Sequence, residues 1–72
     1  MGNFRTNLRE YRLKAGLSQQ QVADCVLIHR NTYLDYESGE RVPYLHICRR
    51  LAALLHTTTT ELWPPFTSDD AA

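Results

Sequence analysis

Five side chains of this 72-residue chain could bind a metal through nitrogen or sulfur: His29, His46, His56, Cys25 and Cys48. None of them forms a close ligand pair such as C-x-x-C or H-x-x-x-H, so the spacing gives no metal site. Nucleophilic catalysis has no more support. There is no Gly-x-Ser-x-Gly, no glycine loop to cradle a phosphate, and too short a chain to line a pocket. No catalytic residue and no cofactor is expected. What remains is recognition chemistry, concentrated in "LSQQQVADCVLIHRNTYLDYESG" from Leu17 to Gly39. Its polar openings, Ser18-Gln19-Gln20-Gln21 and His29-Arg30-Asn31, are dense in hydrogen-bond donors and acceptors. Each opening is followed by a short run with apolar residues, and the stretch closes on Ser38-Gly39.

The elements that must hold these groups are helices; the chain contains no convincing strand. Phe4, Leu8, Tyr11 and Ala15 recur at three- and four-residue intervals, predicting a first helix from Asn3 to Ala15 with Gly16 as a left-handed stop. The second opens at Ser18, where Ser18-x-x-Gln21 is a capping box, and turns Val22, Ala23 and Val26 inward. A third runs from near His29 to about Ser38 and stops at Gly39. With Tyr33 and Tyr36 inward, the 100° step turns Asn31, Leu34, Asp35 and Ser38 outward. After Pro43 a fourth helix spans about Tyr44 to Leu55, with Leu45, Cys48, Leu51, Ala52 and Leu55 on one face. Thr58-x-x-Glu61 starts a short fifth helix that ends at Pro64-Pro65. These elements make one domain, 1–63, followed by a flexible tail over 64–72.

Composition sets the compartment and the charge layout. Two cysteines are too few for a disulfide framework, and free thiols suit a reducing, cytoplasmic setting. No signal-like or membrane-spanning run occurs. Net charge is zero, but all eight Lys/Arg lie in residues 1–50 against five acids, leaving +3 there and −3 beyond. One end of the molecule can therefore meet a polyanion while the other cannot.

Between Val26 and His29 only Leu27 and Ile28 remain to turn the chain. So short a turn joins two helices steeply, which is the helix-turn-helix geometry, with the second helix entering the DNA major groove. The polar openings then face DNA, where free N–H groups and the positive dipole end attract phosphate. Here the residues reach a resemblance. "GLSQQQVADCVLIHRNTYLDYESGERVPYLHICRRLAALLHTTTTEL" (Gly16 to Leu62) is similar to the Cro and phage-repressor type of helix-turn-helix domain, the XRE family. It shows Gly-Leu-Ser-Gln, an Ala inside helix two, Glu-x-Gly closing helix three, Pro in the next loop, and Leu-Ala-x-x-Leu in helix four.

The resemblance implies an all-α, five-helix, lambda-repressor-like fold and a sequence-specific transcriptional regulator, a repressor, bound to a palindromic double-stranded operator. Carried onto this chain, it puts Arg30, Asn31, Leu34 and Asp35 where bases are read. Arg30 could donate two hydrogen bonds to guanine, Asn31 could pair with adenine, and Leu34 is available for a thymine methyl. Gln19, His29, Thr32, Arg41 and Tyr44 fall where the DNA backbone is contacted, and Arg12 with Glu37 match an internal salt bridge. Two positions depart from the family pattern. Leu27 stands where Gly is usual, so either Leu adopts a left-handed backbone or the turn is remodelled. Asp35 replaces a neutral or basic side chain; it can accept from cytosine but is repelled by phosphate.

One recognition helix covers too few base pairs to find a site among millions of competitors, so a homodimer reading two half-sites is expected. Its surface should lie away from the second and third helices, on Ile47, Leu54, Leu62, Trp63 and Phe66, with Trp63 as anchor. Two rivals stay open. One is an antitoxin-type regulator that also binds a partner protein; the other is a protein-interaction module of the same fold without DNA binding.

Overall fold

The structure, a computed structural model, describes residues 4–64. The described residues form five α-helices and no strand: α1 (Leu8–Lys14), α2 (Gln19–Val26), α3 (Arg30–Ser38), α4 (Leu45–Leu54) and α5 (Thr59–Leu62). The tail beyond Pro64, including Phe66, lies outside the described residues.

Local chemistry accounts for several of the helix ends. Ser18 caps α2 with both halves of the box in place: Gln21 N–H donates to Ser18 Oγ at 3.0 Å, and Ser18 N–H to Gln21 Oε1 at 2.8 Å. Gly39 closes α3 at φ 88°. A side chain there would collide with the carbonyl of Phe4, whose N–H donates to Gly39 O at 2.6 Å. Thr58 caps α5 by accepting from Glu61 N–H at 3.2 Å. The Glu61 carboxylate is used elsewhere, accepting from Tyr11 Oη at 3.3 Å.

The helices enclose one core. α2 packs on α3 and α4, α1 on α3, and α4 on α5. Leu8, Val22, Val26, Tyr33, Leu51 and Leu62 are its largest fully enclosed side chains. Each aliphatic one contributes on the order of 1.5–3 kcal/mol by leaving water.

Two expectations about the helices are corrected. The first helix begins at Leu8, not Asn3, because tertiary hydrogen bonds take the preceding backbone. Asn7 N–H donates to Leu62 O at 2.8 Å and Asn7 Nδ2 to Glu61 O at 2.8 Å, stitching the chain entry to α5. Phe4 is consequently exposed rather than on an inner helical face. In α4 the buried stripe is Ile47, Cys48, Leu51 and Ala52, continued by Leu55, while Leu45 faces solvent. Ile47, expected on a dimer surface, is thus a core residue at 7 % exposure, and Leu62, expected beside it, is at 0 %. Both are already used inside the monomer. Leu54 and Trp63 remain half-buried at the core's edge.

Candidate nucleic-acid interface

The turn between α2 and α3 determines where the outward side chains of α3 point. Leu27 adopts the left-handed backbone, φ 64° and ψ 46°, with its side chain 80 % exposed. Of the two alternatives for this position, the strained turn is the one present. Its hydrogen bonds explain how a leucine is held there: Leu27 N–H donates to Asp24 O at 3.2 Å and Ile28 N–H to Ala23 O at 3.0 Å, sealing the end of α2. Strain of this kind amounts to roughly 1–2 kcal/mol for a residue bearing a Cβ.

His29 then opens α3 in extended conformation without a side-chain cap bond. The first N–H groups of α3 are therefore not capped by its own N-cap side chain, and an anion can be received there. Arg30 and Asn31 are exposed on the first turn, Thr32 is half-buried, and Leu34 and Asp35 are half-exposed one turn on. Tyr33 and Tyr36 anchor the opposite side in the core.

Behind this face lies a polar hub centred on Glu37. Arg12 Nε donates to Glu37 Oε2 at 2.7 Å, Gln19 Nε2 to Glu37 Oε1 at 2.6 Å, and Tyr33 Oη to Glu37 Oε2 at 3.3 Å. Arg12 Nη1 also donates to Leu17 O at 2.9 Å. The Arg12 and Glu37 side chains are only 10 % and 6 % exposed, so this ion pair ties α1 to α3 inside the protein rather than on its surface. Burial first, and the Glu37 charge second, raise the Tyr33 phenol above its ordinary value. Burial works to lower the Arg12 guanidinium, but its hydrogen bond and charge attraction to Glu37 outweigh that and raise it.

Gln19 is the link that the sequence did not reveal. Its amide binds the hub, and its oxygen accepts from Arg30 Nη2 at 3.4 Å, so a chain of contacts runs from the interior to the first exposed arginine of α3. Helical spacing does contain part of the hub, since Tyr33 and Glu37 are one turn apart. A second unforeseen pairing joins Asp35 Oδ2 to Arg41 Nη2 at 3.2 Å. Tyr44 is exposed and stacks on His46, with ring centroids 6.2 Å apart. Arg50 leans onto the end of α2, its Nη1 donating to Val26 O at 3.4 Å.

Among the described residues no group of three or more His, Cys, Asp and Glu side chains could hold a metal ion, and Cys25 is exposed while Cys48 is buried. No helix among the described residues is long and apolar enough to cross a membrane.

Comparison with known proteins agrees with this arrangement. A family model described as helix-turn-helix matches residues 8–62. The chain is 34 % identical over 59 residues to the cryptic phage CTXphi transcriptional repressor RstR of Vibrio cholerae, covering 82 % of this chain and 53 % of that protein. It is 46 % identical over 55 residues to the HTH-type transcriptional regulator AnsR of Bacillus subtilis, covering 76 % and 47 %. The chain thus spans about half the length of these curated relatives. Among solved structures, the restriction-modification controller protein C.AhdI of Aeromonas hydrophila superposes with a TM-score of 0.70 at 34 % identity, covering 78 % of this chain and 85 % of that one.

Proposed function

Because the chain belongs to the helix-turn-helix family of the phage-repressor (XRE) type, we propose that it is a sequence-specific DNA-binding transcriptional regulator, a repressor acting in the cytoplasm. Its α3 enters the major groove. Arg30, Asn31, Leu34 and Asp35 read base edges, and Gln19, His29, Thr32, Arg41 and Tyr44 meet the backbone on either side. The observation that carries this reading is the Leu27 turn, which sets α3 against α2 with Tyr33 and Tyr36 inward and Arg30, Asn31 and Asp35 outward. The regulator works as a homodimer on a palindromic operator, since one α3 spans too few base pairs for a unique address. With Ile47 and Leu62 assigned to the core, the dimer surface is formed around Leu54 and Trp63.

The relatives named as repressor and regulator support the regulatory role, and the concentration of cations before residue 51 supports a polyanionic partner. Gel-shift titration with random duplex between 50 and 200 mM salt tests the reading. The logarithm of the binding constant should fall linearly with that of salt, by about 0.9 per phosphate neutralised. Absence of any salt-dependent shift would favour the protein-interaction module instead.

A further inference from the structure

Asp35 and Arg41 occupy the proposed DNA face, yet they are bonded to each other. Arg41 Nη2 lies 3.2 Å from Asp35 Oδ2. The backbone holds the two in register: the Asp35 carbonyl accepts from Glu40 N–H at 2.9 Å and from Arg41 N–H at 3.3 Å, and Ser38 Oγ donates to it at 3.2 Å. The loop after α3 therefore folds back so that Arg41 emerges beside the Asp35 carboxylate. Both side chains stay substantially in water, 44 % and 59 % exposed, and such a pair separates easily when a better partner is offered.

We propose that Asp35 and Arg41 form a partner-exchange clasp that couples base reading to phosphate binding, an inference that rests on the DNA-binding reading above. On a mismatched duplex no donor is offered to the carboxylate, which stays beside Arg41, repels an approaching phosphate and offsets the pull of the guanidinium on it. Where the base pair under Asp35 presents a cytosine, its N4 amine donates to the carboxylate from the major groove. Asp35 then turns to the base, and Arg41 is released to the neighbouring phosphate. Two contacts thus appear together on the correct sequence and neither appears on the wrong one. Arg30, whose hydrogen bond is to the neutral Gln19 side chain, has no such restraint in its charge.

A double-mutant cycle tests the clasp. Wild type, Asp35→Asn, Arg41→Ala and the double variant are titrated with random duplex across 50–200 mM salt, with thermal melts confirming folding. Asp35→Asn should strengthen random-duplex binding about 3- to 10-fold and steepen the salt slope by about 0.9 per protomer, the value of one freed phosphate contact. Arg41→Ala should weaken the wild type by less than about twofold on random duplex, yet abolish the whole gain in the Asp35→Asn background. On a selected operator, Arg41→Ala should weaken the wild type about 3- to 10-fold. Asp35→Ala repeats the cycle should the Asn variant melt early. Equal effects of Arg41→Ala in both backgrounds would overturn the clasp while leaving DNA binding intact. Salt-independent behaviour of all four proteins would overturn the DNA-binding reading itself.

Discussion

Replacing Leu27 by glycine should leave the protein as stable as before or slightly more so, against the usual sign for removing a leucine. Three contributions decide this. Relief of the left-handed backbone, φ 64° and ψ 46°, gains about 1–2 kcal/mol. Glycine's greater freedom in the unfolded chain takes back about 0.4–1 kcal/mol. With four-fifths of the side chain already in water, the lost burial is about a fifth of a full leucine, roughly 0.3–0.6 kcal/mol. The net lies between about −0.6 and +1.3 kcal/mol, whereas a buried leucine such as Leu51 loses about 2–5 kcal/mol on truncation to alanine. Leu27→Ala separates the effects, because alanine removes the exposed side chain but keeps the Cβ and hence the strain. Urea denaturation followed by circular dichroism, run on the wild type, Leu27→Gly, Leu27→Ala and Leu51→Ala, reads all four. Leu27→Gly should match or exceed the wild type, with Leu27→Ala at or just below it. A loss above about 2 kcal/mol for Leu27→Gly would mean that the leucine side chain is a packing element, and the strained-turn argument would be wrong.

Four further outcomes are expected. Arg30→Ala and Asn31→Ala should each lose about 1–3 kcal/mol on a selected operator and little on random duplex; equal losses on both would reassign them to phosphate contact. Glu37→Ala should lose about 3–5 kcal/mol in urea melts, because it strands the buried Arg12 cation, while the paired change Arg12→Met with Glu37→Leu should recover most of it. Tyr33 has a folded pKa raised above its ordinary value of 10.0, so the unfolded chain gives up this proton first. Stability is therefore full below about pH 10 and falls as pH rises beyond it, and Tyr33→Phe should flatten that alkaline fall in a melting series. Sedimentation at micromolar concentration should show a dimer that Trp63→Ala shifts to monomer with circular dichroism unchanged; a monomeric wild type that binds DNA as a monomer would refute the dimer.

The parts of the fold carried by local chemistry were legible in the sequence. Ser18-x-x-Gln21 and Gly39 mark helix ends through hydrogen bonds or backbone angles that belong to a few neighbouring residues, and with Tyr33 and Tyr36 taken as inward the period gives the outward face of α3. What escaped was set by distant partners. The start of α1 moved to Leu8 because Asn7 spends its N–H and side chain on α5, 54 or more residues away. The α4 stripe takes in Ile47 in place of Leu45, two residues and about 200° round the helix, because packing on α2 and α5 decides which edge is enclosed. For the candidate site, the outward set on α3 could be read from the sequence, but the Gln19–Glu37 bond and the Asp35–Arg41 pair could not. Each depends on where a loop or a neighbouring helix delivers a long side chain, which spacing within one helix does not encode.

The central claim, sequence-specific reading by α3 in a symmetric dimer, is tested most directly by selecting bound sequences from a random duplex pool with the full chain. Enrichment of a palindrome with half-sites about one helical turn apart is the predicted result, carrying guanine or adenine where Arg30 and Asn31 reach and cytosine under Asp35. A pool that remains random after repeated selection, or one that yields a single unrepeated half-site, would contradict it.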